Sequence, residues 1–385
     1  MTTTAVDATT AQLRIELAEW LRANAERLAP MRAHAEPVAV EDAMAVDLRF
    51  QQELWDAGFT RHGWPTSVGG TGGSAVLRAA LYEQIVLEGF RVPMAQAVLE
   101  VLGPVMLVVA PELSSRYLAR IIRGDELWCQ GFSEPEAGSD LASLRCRATR
   151  TDDGFVVSGQ KLWSTYGSLA QRVMALVRTG QPGHRGITML LIDIDAPGCT
   201  VRPILASSGR NEFAEIFFNE TPVRADRVIG TLDGGWDVAM ALLQWERGMY
   251  AWQRQAVLHA RLAELSHLLR DPTPADSRAI ATAWIQLTAL RSVSARTVSR
   301  LSAGENPGPE VSLDKVLLGT TEKIVQDLFR RVRPIEFALE RSQAGELTRA
   351  DWFFSRMATI YGGAVEIQRS ILAERVLGMP KARAR

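Results

Sequence analysis

At 385 residues, 47% apolar and 23% charged, the chain has the length for one large domain or two to three ordinary ones, with a substantial core. Its net charge of −1 provides no strong field to recruit nucleic acid or an anionic membrane. Three cysteines, Cys129, Cys146 and Cys199, are odd in number and sit in apolar or strand-like settings, which argues against a disulfide framework and for a reduced, cytoplasmic setting. Met1 to Thr10 has neither a basic flank nor an apolar run, so no signal peptide is expected. The longest mostly apolar run, Val98 to Ala110, is interrupted by Glu100, Gly103 and Pro104 and is too short to span a bilayer, so no membrane insertion is expected.

Leu13, Leu17, Trp20, Leu21 and Leu28 recur at helical spacing between Arg14, Glu16, Glu19 and Arg22, which predicts an amphipathic opening helix. A second helix is expected over Val46 to Trp55, ending near Gly58. Gly69, Gly70, Gly72 and Gly73 invite a phosphate-loop reading, yet no Lys-Ser/Thr follows and no strand precedes them, so a structural loop is favoured. Ser74 is a candidate cap for the next helix, which carries Leu77, Leu81, Ile85 and Val86. Met94 to Val109 and Pro111 to Ile122 complete a helical domain over residues 1–126.

From Leu127 the period shortens. Arg145 to Thr151, Phe155 to Val157, Val173 to Val177, Ile187 to Ile194 and Glu215 to Phe218 read as short strands of a small sandwich or barrel over 127–232. Beyond Asp233-Gly234-Gly235 the helical period returns over 233–385: Trp236 to Tyr250 is apolar on most sides and so buried, and Asp276 to Leu301, Val311 to Val332 and Val365 to Leu377 follow. The fold class is α+β, in α–β–α order.

Gln130-Gly131-Phe132-Ser133-Glu134-Pro135-Glu136-Ala137-Gly138-Ser139-Asp140 and Gly159-Gln160-Lys161-Leu162-Trp163-Ser164-Thr165 concentrate hydroxyls and loop amides at the two ends of a predicted hairpin. Such a donor set suits a polar ring and an anion, though an ordinary hydrogen-bonded loop has the same local chemistry. Together the two motifs resemble the flavin-binding core of the acyl-CoA dehydrogenases, and the resemblance continues in register over nearly the whole chain. It implies FAD as cofactor and α,β-dehydrogenation of an acyl-CoA thioester, a step of lipid β-oxidation, with electrons leaving to an electron-transfer flavoprotein. By motif, Gln130, Phe132 and Ser133 would line the flavin ring, Trp163 would lie against it and the Thr165 hydroxyl would approach N5. Ser139 would sit near the pyrophosphate or the CoA phosphates, and Arg247 and Tyr361 would face substrate. Glu366 and Gln368 match the end of the segment on the adenine side, where Ala364 replaces a hydroxyl common in relatives.

Many members carry the catalytic base in a Tyr-Glu-Gly-Thr segment. Here that segment reads Tyr361-Gly362-Gly363-Ala364, so Gly362 stands at the carboxylate position. A second branch uses an apolar-Glu-Arg sequence early in the C-terminal domain, which Trp245-Glu246-Arg247 matches. Apolar neighbours Leu242, Leu243, Met249 and Tyr250 would desolvate Glu246 and raise its pKa, which makes it the candidate base. The bland alternative is a Glu246–Arg247 ion pair.

Two segments that in relatives reach a neighbouring subunit's FAD are altered. Leu268-Leu269-Arg270-Asp271-Pro272 is not a convincing Arg-x-x-Phe-Gly match, and Arg331 to Glu336 has no glycine turn. The expected assembly is therefore a homotetramer, or an α2β2 heterotetramer with a related subunit. A flavin oxidase or monooxygenase of the same fold, or a non-catalytic partner subunit, are the rival functions.

Overall fold

The computed structural model describes residues 3–269 and 271–381; Met1, Thr2, Arg270 and residues 382–385 lie outside them. Five helices open the chain: α1 (Thr3–Ala23), α2 (Val40–Asp56), α3 (Ala75–Leu87), α4 (Met94–Val109) and α5 (Pro111–Arg123). The Leu13-Leu17-Leu21 stripe of α1 buries into a core with Phe50, Leu54, Tyr82 and Ile85, as its spacing requires. The glycine loop closes on itself: Gly63 N donates to Gly72 O at 2.7 Å and Thr71 N to Arg61 O at 3.0 Å. Arg78 fills its mouth by donating to Gly63 O, so the loop is structural. Ser74 holds the cap position of α3, but its side chain makes no capping bond. Its own carbonyl takes the Leu77 amide instead, at 3.0 Å.

The middle of the chain is one eight-stranded sheet: β1 (Trp128–Gly131), β2 (Arg147–Arg150), β3 (Gly154–Thr165), β4 (Arg172–Arg178), β5 (Ile187–Asp193), β6 (Cys199–Ile204), β7 (Phe213–Arg224) and β8 (Val228–Ile229). The order is β6-β7-β3-β2-β4-β5-β8, with β1 added parallel to β4. Phe155, Val157, Ile216 and Phe218 of β3 and β7 share a core with Val173, Val177, Leu190 and Ile192 of β4 and β5, so the sheet folds over its own interior. The alternate residues Met174, Leu176, Met189 and Leu191 face outward into a second core against α4, α5 and α6 (Gly235–Trp245). Burial on both faces makes β4 and β5 continuous apolar runs.

After α6 the helix passes through a π-helical turn, Glu246–Tyr250, into α7 (Ala251–Leu268). Then come α8 (Pro274–Ser302), α9 (Ser312–Val332), α10 (Pro334–Leu339), α11 (Gln343–Met357), α12 (Val365–Ile371) and a second π turn, Leu372–Val376. Leu258, Leu262 and Leu265 of α7, Leu287 and Leu290 of α8, and Val325 and Phe329 of α9 make the bundle core. A Thr273–Asp276 capping box starts α8. At the glycine-free segment, α9 runs to Val332, Arg333 caps it, and α10 begins at Pro334.

Asp314 on α9 is fully buried, and its carboxylate accepts from the Thr297 hydroxyl of α8 at 2.9 Å. Burial raises its pKa from 3.8 to about 7. The folded chain thus holds this proton more tightly than the unfolded one. The stabilisation is complete below 3.8, is lost as pH rises to about 7, and changes no further above that. Relative to wild type, Asp314→Asn is expected to gain on the order of 1–3 kcal/mol between about pH 5 and pH 8. Denaturant midpoints at the two pH values measure this, and a parallel dependence in both proteins would contradict it.

Candidate active site

The two polar motifs converge. Leu162 N on β3 donates to Ser133 O at 2.9 Å, fixing the segment after β1 beside the end of β3. Glu134 holds them together. Its carboxylate accepts from Lys161 Nζ at 2.7 Å, Arg145 N at 2.6 Å and Cys146 N at 2.9 Å, while Lys161 also donates to Phe132 O at 3.3 Å. Lys161 is fully buried, so this is an ion pair removed from water with its charges matched by short bonds.

Beyond the pair, β3 loses register with β7 between Lys161 and Ser164. At that bulge Trp163 adopts φ 61°, a left-handed backbone that a bulky residue rarely takes. Its indole is 55% exposed and meets only the edge of Phe213 among described rings, at 5.9 Å. Thr165 is exposed too, Gln130 and Ser133 are half-buried, Phe132 packs into the core, and Ser139 is exposed on the loop before β2. The strained backbone at Trp163 holds an indole and the Thr165 hydroxyl at the surface, a candidate face for a planar ligand.

The second group belongs to the helical bundle. A Cβ built on Gly362 would lie 2.6 Å from Glu246 Oε1, so the carboxylate fills the space a side chain at 362 would need. Gly362 has φ +62° and Gly363 +96°, and this turn carries the chain past the carboxylate. Arg247 Nε donates to Gly362 O at 3.4 Å. The Lys315 ammonium stands 4.2 Å from the Tyr361 ring centre. The π turn opens the helix at Glu246, and Gly248 lets it approach α8: a Cβ there would be 2.6 Å from Thr297 Cγ2. Burial raises the Glu246 pKa, opposed by the cations of Arg247 and Lys315. Burial lowers that of Arg247, opposed by Glu246, and raises that of Tyr361 well above its ordinary value. Glu366 lies on the exposed face of α12, while Gln368 is buried behind Gly363.

A cavity of about 510 Å³ at the seam of the three regions does not include Glu246. Its charges are paired, Arg91 with Glu36 at 3.1 Å, Arg210 with Glu36 at 2.9 Å and Arg261 with Asp351 at 3.4 Å. Among the described residues no cluster has metal-ligating composition, and no helix is long and apolar enough to cross a membrane.

Three family descriptions match the chain in order: "Acyl-CoA dehydrogenase, N-terminal domain" over 14–125, "middle domain" over 129–221 and "C-terminal domain" over 233–377. Acyl-CoA dehydrogenase IpdE1 of Mycobacterium tuberculosis is 36% identical over 380 residues, covering 96% of this chain and 98% of its own. The chain belongs to the acyl-CoA dehydrogenase family. Among solved structures, the steroid ACAD Tcur3481-Tcur3483 superimposes with a TM-score of 0.82 at 25% identity, over 99% of both chains. The ChsE4-ChsE5 complex of Mycobacterium tuberculosis gives 0.79 at 24%, over 97% of this chain and 98% of that one, and shares the fold.

Family membership makes this an oxidoreductase and implies flavin. The exposed Trp163 and Thr165, beside the Gln130–Ser133 segment, are a donor set and flat wall that fit one. The structure brings Gln130, Phe132 and Ser133 to Trp163 and Thr165, and separately brings Glu246 to Arg247, Gly362 and Tyr361. Sequence reading missed Glu134, Lys161 and Lys315. Lys161 sits among polar and exposed residues of β3 and Lys315 follows Asp314 on α9, so local pattern does not mark either as a buried, functional cation.

Proposed function

We propose that the protein catalyses FAD-dependent α,β-dehydrogenation of an acyl-CoA thioester, with Glu246 as the base that removes the α-proton. The observation that carries this reading is the Glu246 carboxylate standing against Gly362, where a side chain at the other branch's base position would have to go. One carboxylate serves the place two sequence positions could supply. Glu246 is held between Arg247 and Lys315 in a desolvated setting that lifts its pKa toward the working range of a general base. Trp163 would back the flavin ring, Thr165 and Ser133 would hydrogen-bond its polar edge, and Gln130 and Phe132 would line it. Ser139 and Glu366 would meet the phosphate and adenine ends, and Arg247 and Tyr361 would bound the substrate. When bound, FAD supplies the acceptor for the β-hydride. The electron-transfer flavoprotein is the proposed onward acceptor, and the cytoplasm the proposed compartment.

The test is a panel of acyl-CoAs, from short chains to steroid-derived acids, assayed with an artificial electron acceptor. The likeness to a steroid ACAD puts steroid-derived thioesters first. Enoyl-CoA formation from at least one supports the reading. Oxygen consumption in place of enoyl product would support the oxidase or monooxygenase rival.

Ser133→Ala and Thr165→Val are each expected to weaken FAD retention by on the order of 1 kcal/mol, or to shift its potential correspondingly. Wild-type flavin content, spectrum and potential in both variants would contradict the ring placement.

Assembly with a related subunit is the favoured quaternary reading, because the segment from α9 to α10 offers Arg333 and Pro334 where backbone approach to a neighbour's phosphate calls for glycine. Ile335, Leu339, Ile360, Leu377 and Met379 are exposed apolar surface for such a partner. Light scattering and a flavin count on the chain expressed alone should find a flavin-poor species, rescued by a co-expressed relative. A homotetramer with four FADs and full activity would overturn this.

A further inference from the structure

We propose that Lys315 is a positioning residue for the Glu246 carboxylate, acting across Gly362 to hold it ionised and aimed. The proposal rests on Glu246 being the base. Lys315 is buried on α9, donates its ammonium to Ala358 O, and sits over the Tyr361 ring at 4.2 Å. Those two contacts come from the segment that ends in Gly362. A Cβ on Gly362 would be 2.6 Å from Glu246 Oε1 and 3.6 Å from Lys315 Cε, so the lysine stem and the carboxylate flank the same glycine. The ammonium anchors the turn that walls the carboxylate, and its charge opposes the burial that would protonate it.

The other charged groups around the π turn are already engaged. Arg247, on the turn itself, donates to Gly362 O. Glu100 of α4 is bound to Arg78 at 2.7 Å, Asp314 of α9 to Thr297 of α8 at 2.9 Å, and Glu322 of α9 to Arg254 of α7 at 3.2 Å. Tyr250 and Tyr361, at 5.9 Å, are phenols whose pKa values burial raises, so they stay neutral. The cations that act on the Glu246 carboxylate are Arg247, through the turn itself, and Lys315 from α9. Burial lowers the Lys315 pKa to about 8, and the carboxylates of Glu246 and Glu322 oppose that shift by favouring its cation.

The experiment compares Lys315→Met and Lys315→Arg with wild type, using two readouts. One is the pH dependence of kcat/KM. The other is infrared titration of the protonated carboxyl band, with Glu246→Gln identifying the band. Losing the cation should move both the acid limb and the carboxyl titration up by about one pH unit or more in K315M. K315R should stay close to wild type. Lys315→Gln, which retains a donor for Ala358 O, serves as the second neutral variant. An unmoved titration in a folded neutral variant overturns the proposal, as does unfolding of both neutral variants, which would make Lys315 structural. If Glu246→Gln itself turns over normally, it is the base assignment that fails, and the carboxyl titration still reports on Lys315 independently.

Discussion

Glu246→Gln is expected to keep its flavin and lose about 10²- to 10⁴-fold in turnover, the range for removal of a general base. The substitution keeps the shape that fills the space beside Gly362, so the Trp163 segment and the packing of the π turn should be undisturbed. The loss should fall on kcat and kcat/KM together, because the interaction removed is made to the proton in flight rather than to bound substrate. Stopped-flow flavin reduction under anaerobic conditions isolates that step. Near-normal reduction at normal flavin content would place the base elsewhere.

Glu134→Gln should have the largest effect on stability. Its carboxylate neutralises Lys161, whose side chain is fully buried, and also ties down the amides of Arg145 and Cys146. Removing one member of such a pair leaves an uncompensated buried charge and typically costs about 3–5 kcal/mol. The same bonds align the Phe132-Ser133 segment with β3, so flavin retention should fall along with the denaturant midpoint. A Glu134→Gln, Lys161→Met double variant replaces the pair with neutral groups and should recover much of the stability. Failure of the double variant to exceed the single one would show that Glu134 acts through the backbone amides alone.

The α–β–α order was legible because each change of region is a change of hydrophobic period, and the Leu13-Leu17-Leu21 stripe and the apolar runs of β4 and β5 report directly on burial. Long β3 was read only as Phe155 to Val157, since its two breaks in register, after Val157 and after Lys161, disrupt the alternation. Edge strand β6 escaped because none of its residues is fully buried and it carries no apolar run. At the candidate site, Glu246 stands out in the sequence as a charge in an otherwise apolar helix, which makes it the candidate base. Two features were out of reach: the π turn, which local pattern does not distinguish from an α-helix, and the meeting of Glu246, Gly362 and Lys315, which depends on how three distant segments pack.

In the proposed reaction, α-proton removal by Glu246 is coupled to double-bond formation in an acyl thioester. The most direct measurement is a single turnover of the flavin-loaded protein, assembled with its partner subunit where one is needed, mixed anaerobically with a saturated acyl-CoA and with its α-deuterated form. The expected result is one enoyl-CoA per flavin reduced, slower reduction with the deuterated substrate, and neither event in Glu246→Gln. Flavin reduction without enoyl-CoA, or enoyl-CoA formed at the wild-type rate by Glu246→Gln, would contradict it.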